Sequence, residues 1–330
     1  MSDCQLWDLV ILDEAQRIKN WVSTSDAIKN LPRIRSWAIT GTPIENHESD
    51  LASIMEFVDH DQNAKRRYYW PGEKLRKRHQ ELQLRRKKSQ VLEDLPPKII
   101  HKIPVELNAK QRLSYDRAEQ EGIFYLKSLG TEVKISHILE LIIRLKQICN
   151  FDPGTGSSSK IDDIRDRLSI LSDQGHKALI FSQFKKQSTG VIGIANALGE
   201  FNPLILTGDL SAPERSDVIH RFKHSPSHQV LIISLRAGGL GLNLQEASYV
   251  FHMDRWWNPA VEKQAEGRSH RIGQTIKVNV FKYMCIDTVE ERIDRILLEK
   301  QHLFDTLVDD VTLDLSEKLN KKDLMDLFNL

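Results

Sequence analysis

Short apolar runs punctuate this chain, and each closes on a residue type that ends strands or opens turns. Residues 9–12 form a four-residue apolar run ending in Asp13, and residues 37–40 form a second ending in Gly41. Both predict buried strands that feed polar loops. Residues 98–107 predict another strand, after which Asn108 with Gln111 three positions on predicts a capped start to a long helix. Two helical stretches then reach Cys149. Residues 151–159 (FDPGTGSSS) are rich in Gly, Pro and Ser, so a domain boundary is expected there. Beyond them, strands at 177–181, 203–206, 229–234, 248–252 and 276–284 alternate with helices starting at 160 and at 185–198, 213–222, 259–271 and 289–303. Strands alternating with helices predict an α/β fold with a mostly parallel sheet covered on both faces. Near the end, Leu324, Leu327 and Phe328 recur at helical spacing and predict one more small helix.

Composition narrows the class. A length of 330 residues suggests about two domains. With 47 basic against 46 acidic side chains and 40% hydrophobic residues, the chain is neither a disordered polyelectrolyte nor a uniformly basic nucleic-acid coat. Charge is nevertheless uneven. Between residues 65 and 88 eleven Lys or Arg stand against two Glu, a net +9, whereas residues 305–330 carry seven acids and three bases, a net −4. The basic run reads either as a solvated helical face or as a surface that meets phosphates. Cys4, Cys149 and Cys285 are odd in number and far apart, which argues against a disulfide scaffold or a Cys-x-x-Cys zinc cluster and fits a reducing compartment. No apolar run approaches the roughly 20 residues that span a bilayer, so no membrane partner is expected.

Candidate chemistry sits where strands end. Asp13-Glu14-Ala15-Gln16 follows the first apolar run. A carboxylate pair at the carboxyl end of a parallel strand can hold Mg²⁺ beside a nucleotide, or it can simply cap the next helix. Thr40-Gly41-Thr42-Pro43 stands at the second run's end and, alone, reads equally as a turn. The segment 236–243 contains Gly238, Gly239 and Gly241, which permit close backbone approach to a phosphate or only a tight turn. Arg268 and Arg271 are expected at i, i+3 on one helix face, a fork suited to phosphate charge or to surface ion pairs.

Taken in order, VILDEAQ, AITGTPIEN, LQLRRKKSQVLEDLPPK, KALIFSQF, SLRAGGLGLNLQEASYVFHMDRWWNPAVE and KQAEGRSHRIGQ resemble the Swi/Snf-type helicase-like ATPases of helicase superfamily two, from about Leu9 to Val289. The resemblance implies two RecA-like lobes that close on ATP and Mg²⁺ and move along double-stranded DNA without reading its sequence. It implies that Asp13 holds Mg²⁺ with Glu14 nearby, that Glu14 orients the attacking water, and that Arg268 and Arg271 reach the γ-phosphate. Gln16, Thr40, Gly41, Thr42, Gly239, Gly241 and Gln264 would sense nucleotide or couple it to movement. Arg236, Asn243, Trp257, Arg85 and Arg86 would face DNA, with Trp256 divided between DNA contact and packing.

One departure has consequences. A phosphate loop needs Gly-x-x-x-x-Gly-Lys-Ser/Thr, and none of the sixteen glycines precedes a lysine. The expected organisation is therefore an incomplete first lobe at 1–95, a helical connection at 96–159, a complete second lobe at 160–304 and an acidic tail helix at 305–330. An apolar sheet edge near 9–12 or 37–39 should be left unpaired, and an upstream polypeptide would supply the rest of the lobe. Gly267 stands where the family places an acid before the first arginine. The chain is expected to be part of a DNA translocase that does not turn over ATP by itself. A DNA- or partner-binding module built on an intact second lobe is the alternative. Its expected location is the bacterial cytoplasm, or the nucleus in a eukaryote.

Overall fold

The structure, a computed structural model, describes all residues except 1–5, 19–22, 41–47, 60–68, 85, 87–91, 93, 186–188, 235–241, 257–258 and 306–320. The chain divides into two compact units, Met1–Val91 with His302–Glu317 and Leu92–Gln301 with Lys318–Leu330.

In the first unit, β1 (Trp7–Asp13) and β2 (Arg33–Ile39) pair in parallel, with Ile11 opposite Trp37 and Asp13 opposite Ile39. Side chains alternate across a strand, so Val10, Leu12 and Ala38 share one face. That face packs on Ala15, Ile18, Ile54 and Phe57. Around it lie α1 (Ser23–Lys29), α2 (Glu48–Val58) and α3 (Glu73–Leu82). A buried polar net ties these pieces. Lys29 Nζ reaches Glu56 Oε2 at 2.9 Å and Ser53 Oγ at 2.6 Å. Arg33, 1% exposed, donates to the carbonyls of Lys29, Leu31 and Phe57 and lies over the Phe57 ring at 4.4 Å. The opposite sheet face carries Ile11, Trp37 and Ile39, each more than half exposed. Among the described residues β1 and β2 pair only with each other, and their other edges, like this apolar face, have no described partner strand.

The second unit holds a six-stranded, all-parallel sheet in the order β3 (Lys98–Val105), β8 (Val278–Cys285), β7 (Ala247–His252), β4 (Lys177–Ser182), β6 (Val230–Ser234), β5 (Leu204–Leu206). Its helices are α4 (Ala109–Leu129), α5 (Ile135–Asn150), α6 (Ser159–Asp173), α7 (Val191–Ala197), α8 (Ala212–His224), α9 (Pro259–Glu266), α10 (Val289–Asp305) and α11 (Lys321–Asp326). Both faces of the central strands are buried, which explains their near-continuous apolar sequences. Ala178 and Ile180 meet Ile161, Ile164 and Leu168 of α6 on one side, whereas Leu179 and Phe181 meet Phe222 of α8 on the other. Asn108 caps α4 as expected, its side chain accepting from the Gln111 amide at 3.0 Å. The short helix expected near the end is also present, with Leu324, Leu327 and Phe328 buried.

Within residues 96–159, β3 pairs along its whole length with β8, and Gln111 of α4 donates to Ile148 O and accepts from Ser159 N. Residues 151–159 form a loop inside the second compact unit, which begins at Leu92. Two helix bounds differ from those expected. The helix expected at 185–198 begins at Val191, with Gly190 as its N-cap. The helix expected at 259–271 stops at Glu266, because Gly267 follows and the next amides, Arg268 and Ser269, bond three residues back instead of four.

Candidate nucleotide and nucleic-acid site

In the first unit the chemistry gathers at one edge. Parallel pairing sets Asp13 opposite Ile39, so Asp13 and Glu14 leave β1 beside the point where Thr40 leaves β2. The turn is sharp: Glu14 has φ of 50°, a left-handed conformation uncommon for a non-glycine residue, and its amide donates to Asp13 Oδ1 at 2.9 Å. Ala15 and Ile18, both buried, anchor the 3₁₀ turn Ala15–Ile18 that follows, while Asp13 stays exposed. Such an exposed hard oxygen donor at the carboxyl end of a parallel strand fits Mg²⁺. When bound, Mg²⁺ neutralises phosphate charge; Asp13 would hold it, and Glu14, held in the adjacent turn, would orient a water. The backbone of Gln16 lies in the 3₁₀ turn. Its side chain, together with Gly41 and Thr42, lies outside the described residues.

In the second unit the arginines lie in the turns after α9, not on the expected helix face. These turns are sewn to the segment leading into β7. The Leu244 amide donates to Arg268 O at 3.0 Å, and Arg271 Nη1 reaches Leu242 O at 3.3 Å. Gln274 Nε2 donates to Gln245 O at 2.8 Å and Ala247 O at 3.1 Å. Arg268 is 7% exposed, whereas Arg271 and Asn243 are exposed. The segment 242–247, which follows the glycine-rich residues in sequence, is therefore bonded directly to the arginine segment. Gln264 is half-buried on α9 and Arg86 is exposed. Arg236, Gly239, Gly241, Trp257 and Arg85 lie outside the described residues. Trp256 is half-buried and packs on the Leu179, Phe181 and Val250 side of the core.

Sequence reasoning missed what holds this region. Asp254, fully buried, accepts from Asn150 Nδ2 at 2.6 Å and Ser182 Oγ at 2.9 Å. Lys146 Nζ donates to Arg255 O at 2.7 Å, and Glu262 accepts from the Trp256 amide at 2.9 Å. Arg255 pairs with Asp294 at 2.8 Å, and Lys282 bridges Glu262 and Glu266 at 2.9 and 2.8 Å. Burial opposes ionisation of Glu262, yet Arg255, His252 and Lys282 outweigh it and hold its pKa at about 2. Burial pushes His252 down to about 4, with Glu262 and Glu266 pulling up and Lys282 and Arg255 pulling down. Two turns of α9 are thus clamped to the sheet by charge. The one available signal was the pair Glu262 and Glu266 at i, i+4, a spacing that surface ion pairs share.

Known proteins match both halves of the chain. The family described as SNF2-related domain matches residues 1–153, and the helicase conserved C-terminal domain matches residues 159–273. The Sulfolobus solfataricus SWI2/SNF2 ATPase core domain is 30% identical, with 99% of this chain and 72% of that chain covered at a TM-score of 0.56. The same organism's core in complex with double-stranded DNA is 29% identical, covering 99% and 74%, also at 0.56. An uncharacterized ATP-dependent helicase of Mycoplasma genitalium is 34% identical over 97% of this chain and 32% of its own length. The human SWI/SNF-related matrix-associated actin-dependent regulator of chromatin subfamily A member 1 is 33% identical over 87% of this chain and 30% of its own. The chain spans about a third of the length of the curated relatives it matches. With its α/β units, parallel sheets and ordered motifs, the chain belongs to the SNF2 family of helicase-like ATPases.

Proposed function

We propose that this chain is part of an ATP-dependent translocase that couples ATP hydrolysis to movement on double-stranded DNA. The observation that carries the reading is the shared edge of β1 and β2, where Asp13, Glu14 and Thr40 emerge side by side. Supporting it, the arginine turns and the segment after the glycine-rich loop are hydrogen-bonded as one piece, a layout suited to linking nucleotide state to DNA grip. The duplex bound to the Sulfolobus core supports double-stranded DNA as the partner. Asn243, Arg236, Trp257, Arg85 and Arg86 would face it. Phosphate contacts dominate such tracking, so binding would be insensitive to sequence and weakened by salt.

The triphosphate cradle is not among these 330 residues, since no glycine precedes a lysine. We infer that another polypeptide segment brings it and covers the apolar face formed by Ile11, Trp37 and Ile39. Parallel sheets are ordinarily covered on both faces, which supports that pairing. Alone, the chain binds DNA without turning over ATP. ATP hydrolysis by the chain with and without duplex DNA, beside the Glu14→Gln variant, tests this. Flat traces for both proteins are expected, and DNA-stimulated turnover lost in the variant would refute the inactivity. A second reading, a DNA- or partner-binding module that never hydrolyses ATP, draws on the complete six-stranded sheet of the second unit.

A further inference from the structure

Helix α3 carries charge that the nucleotide chemistry does not use. Of its ten residues only Leu75 is buried, seated with Tyr69 against Leu51, Ala52 and Met55. Asp59 fixes the helix's rotation, accepting from Arg78 Nε at 2.9 Å and Nη2 at 3.1 Å and from the Tyr69 hydroxyl. With Arg78 committed to Asp59 and Glu81, the outward face presents Lys74 and Lys77, one turn apart, with exposed Arg76 beside them. Neither Lys74 nor Lys77 forms an ion pair among the described residues. Trp70, four positions before Lys74, is 81% exposed. Between them Gly72 has φ of 137°, a conformation essentially confined to glycine, so the angle at which Trp70 leaves the helix is built in.

A solvated helix explains the lysines but not the tryptophan. An indole left four-fifths in water gives up the burial that usually places this residue at cores and interfaces. The segment is also where positive charge concentrates, a net +9 across residues 65–88 in a chain whose total is +1. Lysines act as point charges toward phosphate, and an adjacent indole offers a flat apolar surface for a sugar and an N–H donor for a phosphate oxygen.

We propose that the outward face of α3, formed by Trp70, Lys74 and Lys77, is a docking surface for the sugar-phosphate backbone of duplex DNA. The inference rests on the reading that duplex DNA is the partner and adds a contact surface that lies just before the LQLRRKKSQVLEDLPPK segment. It requires no base recognition, so it strengthens binding equally on unrelated sequences.

The test is equilibrium binding of the 330-residue chain to labelled duplexes of two unrelated sequences across a salt series. Wild type is compared with Lys74→Gln/Lys77→Gln, with Trp70→Ala, and with a charge-matched control on α4, Lys110→Gln/Lys127→Gln. All these side chains are exposed, and circular dichroism checks that each variant remains folded. The α3 double variant is expected to flatten the slope of log affinity against log salt by about 1.8, since each phosphate contact contributes ~0.9. The control should leave the slope within error of wild type, and Trp70→Ala should weaken binding several-fold with little change of slope. Wild-type binding with an unchanged slope in the α3 variant, or an equal change in the control, overturns the assignment while leaving DNA as the partner. An α3 that instead serves an acidic protein would give that same result. Absence of wild-type binding at low salt overturns the DNA reading and the assignment together.

Discussion

Lys160 and Glu290 are both fully buried and meet at 2.8 Å, with Lys160 Nζ also donating to Asn150 Oδ1 and Met253 O. Burial works against the ammonium, but Glu290 outweighs it and leaves the Lys160 pKa raised, so the ammonium stays charged. Removing one partner strands a charge in the core. Lys160→Met is expected to destabilise the second unit by about 3–5 kcal/mol, and Lys160→Met/Glu290→Met by less than the sum of the single changes, as read by urea unfolding. His252 makes a pH-dependent prediction. Its pKa is about 4 in the fold against about 6.5 unfolded, so between those values the unfolded chain binds a proton that the folded one refuses. Stability therefore falls as pH drops from about 6.5 to 4, by on the order of 2–3 kcal/mol, and His252→Phe should flatten that part of the profile. Below it, Glu262 adds a second loss as pH falls from its unfolded value near 4.5 toward about 2. At this scale the sequence exposes motif residues such as Arg268 and Arg271 but not what anchors the unit that carries them. Lys160, Lys282 and Glu262 look like surface charges until the fold buries them.

Elements with two buried faces were the most legible. Strand β4 reads as an unbroken apolar run because Ala178, Leu179, Ile180 and Phe181 alternate between two covered faces. Helix ends were less so. In the sequence a helical pattern runs through Arg271, yet α9 ends at Glu266 and hands over to turns whose geometry depends on Gly273, with φ of 97°. A Cβ there would also lie 2.5 Å from Gln245 Oε1, on the segment to which Arg271 and Gln274 bond. Gly273→Ala is expected to cost about 1–3 kcal/mol through that backbone conformation. Faster amide exchange confined to residues 242–247 and 267–274 would locate the damage; unchanged exchange there would show that the turns do not depend on Gly273.

Across the molecule, α/β class and parallel pairing follow from the alternation of strands and helices, whereas the division near residue 92 does not. The Gly- and Ser-rich loop at 151–159 has a linker's composition, and Ser157 and Ser158 bond to Asn108 and Asn150. In the first unit the open face with Trp37 and Ile39 predicts association or dye binding by the isolated chain. Trp37→Lys/Ile39→Thr should reduce both without loss of helix content, and light scattering with a polarity-sensitive dye would report it. Under the proposed function, these residues form part of an SNF2-family ATPase whose triphosphate cradle comes from another segment. The most direct test of this is DNA-dependent ATP hydrolysis by the chain joined to a polypeptide bearing that family's phosphate loop, with Glu14→Gln as the background. Turnover that appears only on joining, rises with duplex DNA and vanishes in the variant is the predicted result. Equal turnover by the chain alone, or none after a joining that yields a folded, DNA-binding protein, would contradict it.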